Sequence, residues 1–278
     1  MTVRIGAVSY LNTKPLIYGL SERLPDSELR LDLPSRLADQ LSSGQLDVAL
    51  IPSVEFLRSA QHAIVSDACI ACCGPVRSVR VLFRQPPERV QTLALDEGSR
   101  TSAVLAQVLL ARRYGLRPRL QPFEIGAPLE SVEADAVLMI GDRAMHVDTS
   151  PYNGPSDQRS DQRLSFVDDW DLGQAWTALT GLPFVFAMWV AVDRHLDPQV
   201  TEALQESRDA GLANIEAIIE GQAARYGLTA DDCRSYFLDQ LHFQLGPREL
   251  QGLDLFRQWA VELQLLPTAS QQLSLAPL

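Results

Sequence analysis

Residues 1–16 read MTVRIGAVSYLNTKPL, and the change of character within them decides the fold. Residues 3–8 (VRIGAV) are apolar and β-branched enough for a buried strand. Polar residues then follow abruptly, and Pro15 opens a helix. Proline suits the first helical position because the amide it lacks would have no partner there. Strand, short polar loop and helix start together make the usual ligand site of open α/β sheets, at the carboxyl ends of the strands. The exposed amides of a helix start favour an anion. Ser9 and Lys14 are therefore candidate ligand contacts. Lys14 is the chain's one lysine against 23 arginines. It is either a solvated charge, slightly disfavoured beside a helix start, or a residue facing a bound anion; its solitary place in this loop favours the anion.

The same pattern recurs outward from this stretch. LDVALIPSVEFL (46–57) reads as a parallel strand, a second ligand-facing loop at Ser53 and a short helix. ELRLDLP (28–34) alternates as a half-buried strand does, and Ser35 can cap the helix after it. Residues 63–73 and 78–84 are two further strands, with Gly74, Pro75, Val76 and Arg77 turning between them. Residues 92–116 restart the pattern, with strand TLAL, a loop at 96–100 and a helix from Thr101 or Ser102. Ser99, Arg100, Thr101 and Ser102 form either a carboxylate or phosphate cradle or an ordinary helix cap, and the local sequence weighs the two equally. Residues 134–145 run as a strand into Gly141 and Asp142, and the polar stretch 148–163 is an exposed loop.

A helix over 171–180 precedes an apolar strand across 183–192. The rest is helical: one long amphipathic helix over 198–228 stopped by Gly227, a second capped by Thr229, and a third from Pro247 to Leu263. Alternating strands and helices give an α/β class with mostly parallel sheets. Two restarts, with crossings near 84–88 and 187–191, imply two lobes and a cleft between them. The first lobe then takes 1–86 and 189–278, and the second 87–188. The cleft would gather the loops at 9–14, 52–55, 74–78, 98–102 and 141–143.

Length and charge narrow the function. The 278 residues suffice for one large or two medium domains. A net charge of −11 argues against nucleic acid or an anionic membrane surface as partner. No signal peptide is visible, and no stretch reaches the roughly 18 apolar residues of a membrane span; the expected compartment is the cytoplasm. Cys69, Cys72, Cys73 and Cys233 read as small buried thiols rather than a zinc site, since His62 is the only histidine near the cluster.

Six segments in order carry a resemblance: IGAVSYLNTKPLIYGL, DVALIPSVEF, GPVRSVRVLF, LDEGSRTSAVLAQVLL, IGDRAM and DLGQAWTALTGLPFVFAMW. Together they resemble the chorismate dehydratase family of the futalosine menaquinone pathway, motif by motif over about residues 3–192. The resemblance implies a two-lobed fold like that of type II periplasmic binding proteins, used as a cytoplasmic enzyme. It implies dehydration of chorismate to 3-[(1-carboxyvinyl)oxy]benzoate without metal or organic cofactor. The family's catalytic asparagine falls on Asn12 and its functional serine on Ser78.

Chorismate is a dianion, so the cleft needs two carboxylate sites. The loop Ser99, Arg100, Thr101, Ser102 is the candidate for one, and Lys14, Arg77 or the amides near Ser53 for the other. No base is obvious. His62, His146, His195 and His242 lie outside the cleft loops, and the Asn12 amide is effectively non-basic although it hydrogen-bonds in both directions. The substrate's own enolpyruvyl carboxylate is thus expected to take the proton, with Asn12 and Ser78 orienting it; Asp142 or Glu55 is the rival base, and Asp142 is also a candidate contact. Two other functions stay open. One is the sister enzyme dihydroxynaphthoate synthase, which depends on a histidine base. The other is a non-catalytic small-anion binder, because fold does not fix function.

Overall fold

A computed structural model describes residues 2–147, 166–192 and 196–268. The polar stretch 148–163 and His195 lie outside the described residues.

The chain begins with β1 (Arg4–Val8), a 3-10 helix (Leu11–Ile17), α1 (Leu20–Arg23), β2 (Glu28–Asp32), α2 (Pro34–Ser42), β3 (Val48–Pro52), α3 (Ser53–Arg58) and β4 (Ala63–Cys72). It continues through β5 (Val79–Phe83), β6 (Thr92–Asp96), α4 (Arg100–Tyr114), β7 (Arg119–Phe123), β8 (Ala136–Ile140), β9 (Asp168–Asp171) and α5 (Leu172–Thr180). The described remainder is β10 (Phe184–Ala191), α6 (Pro198–Ala213), α7 (Ile215–Gln222), α8 (Ala230–Ser235), β11 (Leu241–Gln244) and α9 (Pro247–Glu262).

Two sheets form, in strand orders β11-β4-β10-β3-β1-β2 and β7-β6-β8-β5-β9. The two-lobed α/β architecture matches the sequence reading, but the sheets are mixed rather than mostly parallel. β1 runs parallel to β2 and β3, and β6 to β7 and β8. β10 is antiparallel to β3 and β4, and β5 to β8 and β9. Helical crossovers within a lobe lay strands down in parallel. A strand arriving from the other lobe enters from the opposite end, and β5 and β10 are those strands.

The outward crossing lies earlier than 84–88, since β5 already belongs to the second sheet. The chain turns at Gly74 (φ 122°) and Arg77 (φ 60°). The Asp171 carboxylate holds that turn by accepting the Val76 and Arg77 amides. On the way back, all of β10 is in the first sheet.

Burial explains which strands are central. VALIP in β3 and FVFAMWVA in β10 are buried at every position, as interior strands covered on both faces must be. ELRLD in β2 is partly exposed throughout and takes the edge. Trp176, Phe184, Phe256 and Trp259 pack edge to face with centroids 5.0–6.2 Å apart, binding α5, β10 and α9 together. Trp176, Trp189 and Phe184 are all core residues.

Local expectations shift in four places. Pro15 lies inside the 3-10 helix instead of opening an α-helix; its missing amide favours a tight turn over an α-helical ladder. Ser35 is not a cap, because Pro34 opens α2 after Leu33. The helix expected over 198–228 breaks at Asn214, whose side-chain amide bonds the Ala210 carbonyl at 2.8 Å and competes with the backbone. Cys73 is exposed, whereas Cys69, Cys72 and Cys233 are buried free thiols.

Candidate active site

The ends of both sheets face a pocket that opens to solvent. The first lobe contributes Tyr10, Asn12 and Pro52, and the crossing segment contributes Val76, Ser78 and Val79. The second lobe contributes Gly98 to Ser102, Ile140 and Gly141; β4 and β10 add Ile70, Phe186 and Ala187. Apolar walls with a few convergent polar groups are the usual make-up of a small-molecule site.

The Asn12 loop is fixed from three sides. The Leu11 amide donates to Asp142 Oδ1 at 3.1 Å. The Ser9 amide donates to the Asp32 carbonyl at 3.0 Å. The Tyr10 ring lies against Gly141, where a Cβ would stand 2.9 Å from the ring. Gly141 also has φ 70°, so its place demands glycine on two counts.

α4 starts at the pocket with Ser99 as N-cap, and no side chain caps it. Its first-turn amides belong to Arg100, Thr101 and Ser102, all three at the pocket. A fifteen-residue helix brings a favourable field for negative charge to that end. Thr101 Oγ1 accepts the Val54 amide at 3.2 Å, tying the helix start to the first lobe. Arg100 reaches across to Asp39 at 2.8 Å and Glu55 at 3.5 Å.

The Tyr236 hydroxyl, behind the pocket lining, donates to Ser78 Oγ at 2.8 Å. Burial holds the Tyr236 phenol well above its ordinary pKa, so it stays protonated. Among the described residues lining the pocket, Arg100 is the one charged side chain, and none is Asp, Glu or His. Asp142 lies behind the Leu11 amide, with burial lifting its carboxyl to about 6. Glu55 is engaged by Arg58 and Arg100. His62 faces the Glu55 carbonyl, His146 the Tyr226 carbonyl and His242 the Glu249 carboxylate. No group of three or more His, Cys, Asp or Glu among the described residues is arranged to hold a metal ion.

A family model described as "Menaquinone biosynthesis" matches residues 3–262. The chain belongs to this family. The chain is 31% identical over 234 residues to a protein of Thermus thermophilus named chorismate dehydratase, covering 81% of this chain and 83% of that one. A chorismate dehydratase of Campylobacter jejuni is 25% identical over 261 residues, or 90% and 94% of the two chains. Among solved structures, a crystal structure of an Archaeoglobus fulgidus protein matches with TM-score 0.69 at 17% identity, covering 95% of this chain and 98% of that one. A Candida albicans protein described as having the generic periplasmic binding protein fold matches with TM-score 0.63 at 11% identity, over 97% and 92%. These two likenesses show the fold.

In this member of the menaquinone-biosynthesis family, the pocket gathers Asn12, Ser78, Ser99, Arg100, Thr101 and Ser102. Five other candidates do not line it. Ser9 is spent on backbone bonding, its carbonyl accepting from Tyr226 Oη at 3.4 Å. Lys14 points to the Tyr226 ring, 6.0 Å from its centre. Ser53 is fully buried and donates to the Val185 carbonyl at 2.7 Å. Arg77 pairs with Asp232 at 2.9 Å. Asp142 braces the Asn12 loop from behind. Tyr10, Phe186 and Tyr236 were not singled out from sequence. Tyr10 stands within the quoted opening stretch, but Tyr236 reaches Ser78 only through the tertiary fold.

Proposed function

We propose that the chain is a chorismate dehydratase of the futalosine route to menaquinone, converting chorismate to 3-[(1-carboxyvinyl)oxy]benzoate and water in the cytoplasm. Family membership and two relatives of that name support the reaction class. The pocket supplies the supporting chemistry: several hydrogen-bonding groups among apolar walls, and no carboxylate or imidazole among its described lining residues. No helix among the described residues is long and apolar enough to cross a membrane.

In this reading the ring carboxylate of chorismate meets the first-turn amides of α4, with Ser99, Ser102 and Arg100 around it. The enolpyruvyl carboxylate lies between Asn12 and Ser78. Ile70, Val76 and Phe186 flank the ring and keep water from it. The enolpyruvyl carboxylate takes the ring proton, the C–H pair becomes the new double bond, and the neighbouring hydroxyl leaves to form water with that proton. Asn12 donates to the carboxylate and holds the departing oxygen, while Ser78 donates to whichever of the two it faces. Aromatisation drives the step, so positioning and fixed dipoles carry most of the acceleration.

That no Asp, Glu or His stands among the described pocket-lining residues is the observation that carries this reading over one in which Asp142 or Glu55 abstracts the proton. It also weighs against dihydroxynaphthoate synthase, which needs a histidine. The test is purified protein with chorismate and no added metal, followed by absorbance and mass. An aromatic product one water lighter than chorismate is expected; tight binding without turnover would make the chain a binder, and no binding would return the sister enzyme.

A further inference from the structure

We propose that Tyr236 is a positioning residue for Ser78: by donating to Ser78 Oγ, its hydroxyl leaves the serine's own hydrogen free to point into the pocket. The inference rests on the reading of Ser78 as a substrate contact. Tyr236 is only 1% exposed and is not among the pocket-lining residues, so it acts through another residue.

The helical segment that carries it is clamped to the crossing loop at two points. Asp232 and Tyr236 are four apart and share one helix face. Asp232 takes the Arg77 guanidinium at 2.9 Å, and Tyr236 takes Ser78 at 2.8 Å. Consecutive loop residues are thus held by successive turns of one helix. Arg77 occupies the left-handed region at φ 60°, so the backbone turns just before Ser78. Between its two anchors the backbone changes from α8 to a π-helical turn, Tyr236–Gln240. Such turns re-aim side chains and recur at functional sites.

A packing role alone would not require the hydroxyl. Tyr236 sits beside Phe237, with ring centroids 5.8 Å apart. A hydroxyl is retained in such a place at a desolvation cost unless it is bonded. Its bond here is to the pocket serine, with the Asn12 side chain as a second partner. A serine hydroxyl has one hydrogen and two lone pairs. Once Tyr236 occupies a lone pair, rotation about the Cβ–Oγ bond is restricted and the remaining hydrogen is directed.

The test compares Tyr236→Phe, Ser78→Ala and the double variant in steady-state turnover of chorismate, with calorimetric binding of the aromatic product. Tyr236→Phe should lower kcat by about tenfold, the size of one well-placed hydrogen bond. KM and product affinity should stay near wild type, with Tm lower by a few degrees at most for the lost buried bond. The double variant should lose no more than about twofold beyond Ser78→Ala, since the phenol's short bond is to the serine and Asn12 is its secondary partner. A kcat within twofold of wild type for Tyr236→Phe, or losses that multiply in the double variant, would overturn the inference while leaving Ser78 in its role if Ser78→Ala is slow. Full rate in Ser78→Ala overturns both. Should Tyr236→Phe fail to fold, 3-fluorotyrosine at 236 keeps the shape and strengthens the donor; it should raise kcat, and an unaltered kcat would count against the proposal.

Discussion

The carboxylate of Asp142 accepts the amide of Leu11 at 3.1 Å, so the loop bearing Asn12 is anchored in one lobe and braced by the other. Burial raises the Asp142 pKa from 3.8 to about 6, outweighing the Leu11 bond and the nearby His146 and Lys14. The folded state therefore holds this proton more tightly than the unfolded chain. The associated stability is fully present below about pH 4 and is lost as pH rises through about 6. Asparagine keeps an acceptor for Leu11 without a charge. Thermal melts of Asp142→Asn against wild type should show a Tm difference that grows in favour of the variant from pH 4 to 6 and is flat above. A difference independent of pH would contradict the account.

Ser53 braces the structure from within the wall beside the pocket. Its hydroxyl donates to the Val185 carbonyl and lies 3.4 Å from Thr101 Oγ1, inside the wall. Ser53→Ala should cost about 1–2 kcal/mol in denaturant unfolding, with KM for chorismate within a factor of two. A large rise in KM without loss of stability would restore it as a substrate contact.

Gly141 has no room for a side chain. A methyl group there meets the Tyr10 ring at 2.9 Å, on a backbone at φ 70°. Gly141→Ala should destabilise the fold by about 1–3 kcal/mol and lower kcat by displacing the Asn12 loop. Chemical unfolding and turnover on the same preparation check both effects.

Much of this arrangement was legible in local sequence. The apolar run before Ser9 placed β1, and Asn12 follows it at the sheet's carboxyl end, where loops face a cleft. The TLAL strand and the residues after it placed α4 with its N-terminus at the pocket. What local sequence could not carry was strand direction and long-range pairing. β5 and β10 look like any apolar strand, and only their arrival from the other lobe makes them antiparallel. Lys14 and Arg77 read as anion ligands because their partners, Tyr226 and Asp232, come from the C-terminal helices. Tyr236 was silent for the same reason. Its hydroxyl matters only once the fold sets it against Ser78.

The measurement that bears most directly on the account is kcat/KM for chorismate in Asn12→Ala, Ser78→Ala, Asp142→Asn and Glu55→Gln, side by side. With the substrate supplying its own base, the first two should fall by at least about a hundredfold, the combined scale of lost orientation and charge stabilisation. The two carboxylate variants should stay within a few-fold of wild type. Near-native turnover in Asn12→Ala and Ser78→Ala, with activity abolished in Asp142→Asn or Glu55→Gln, would contradict it and assign the proton to the protein.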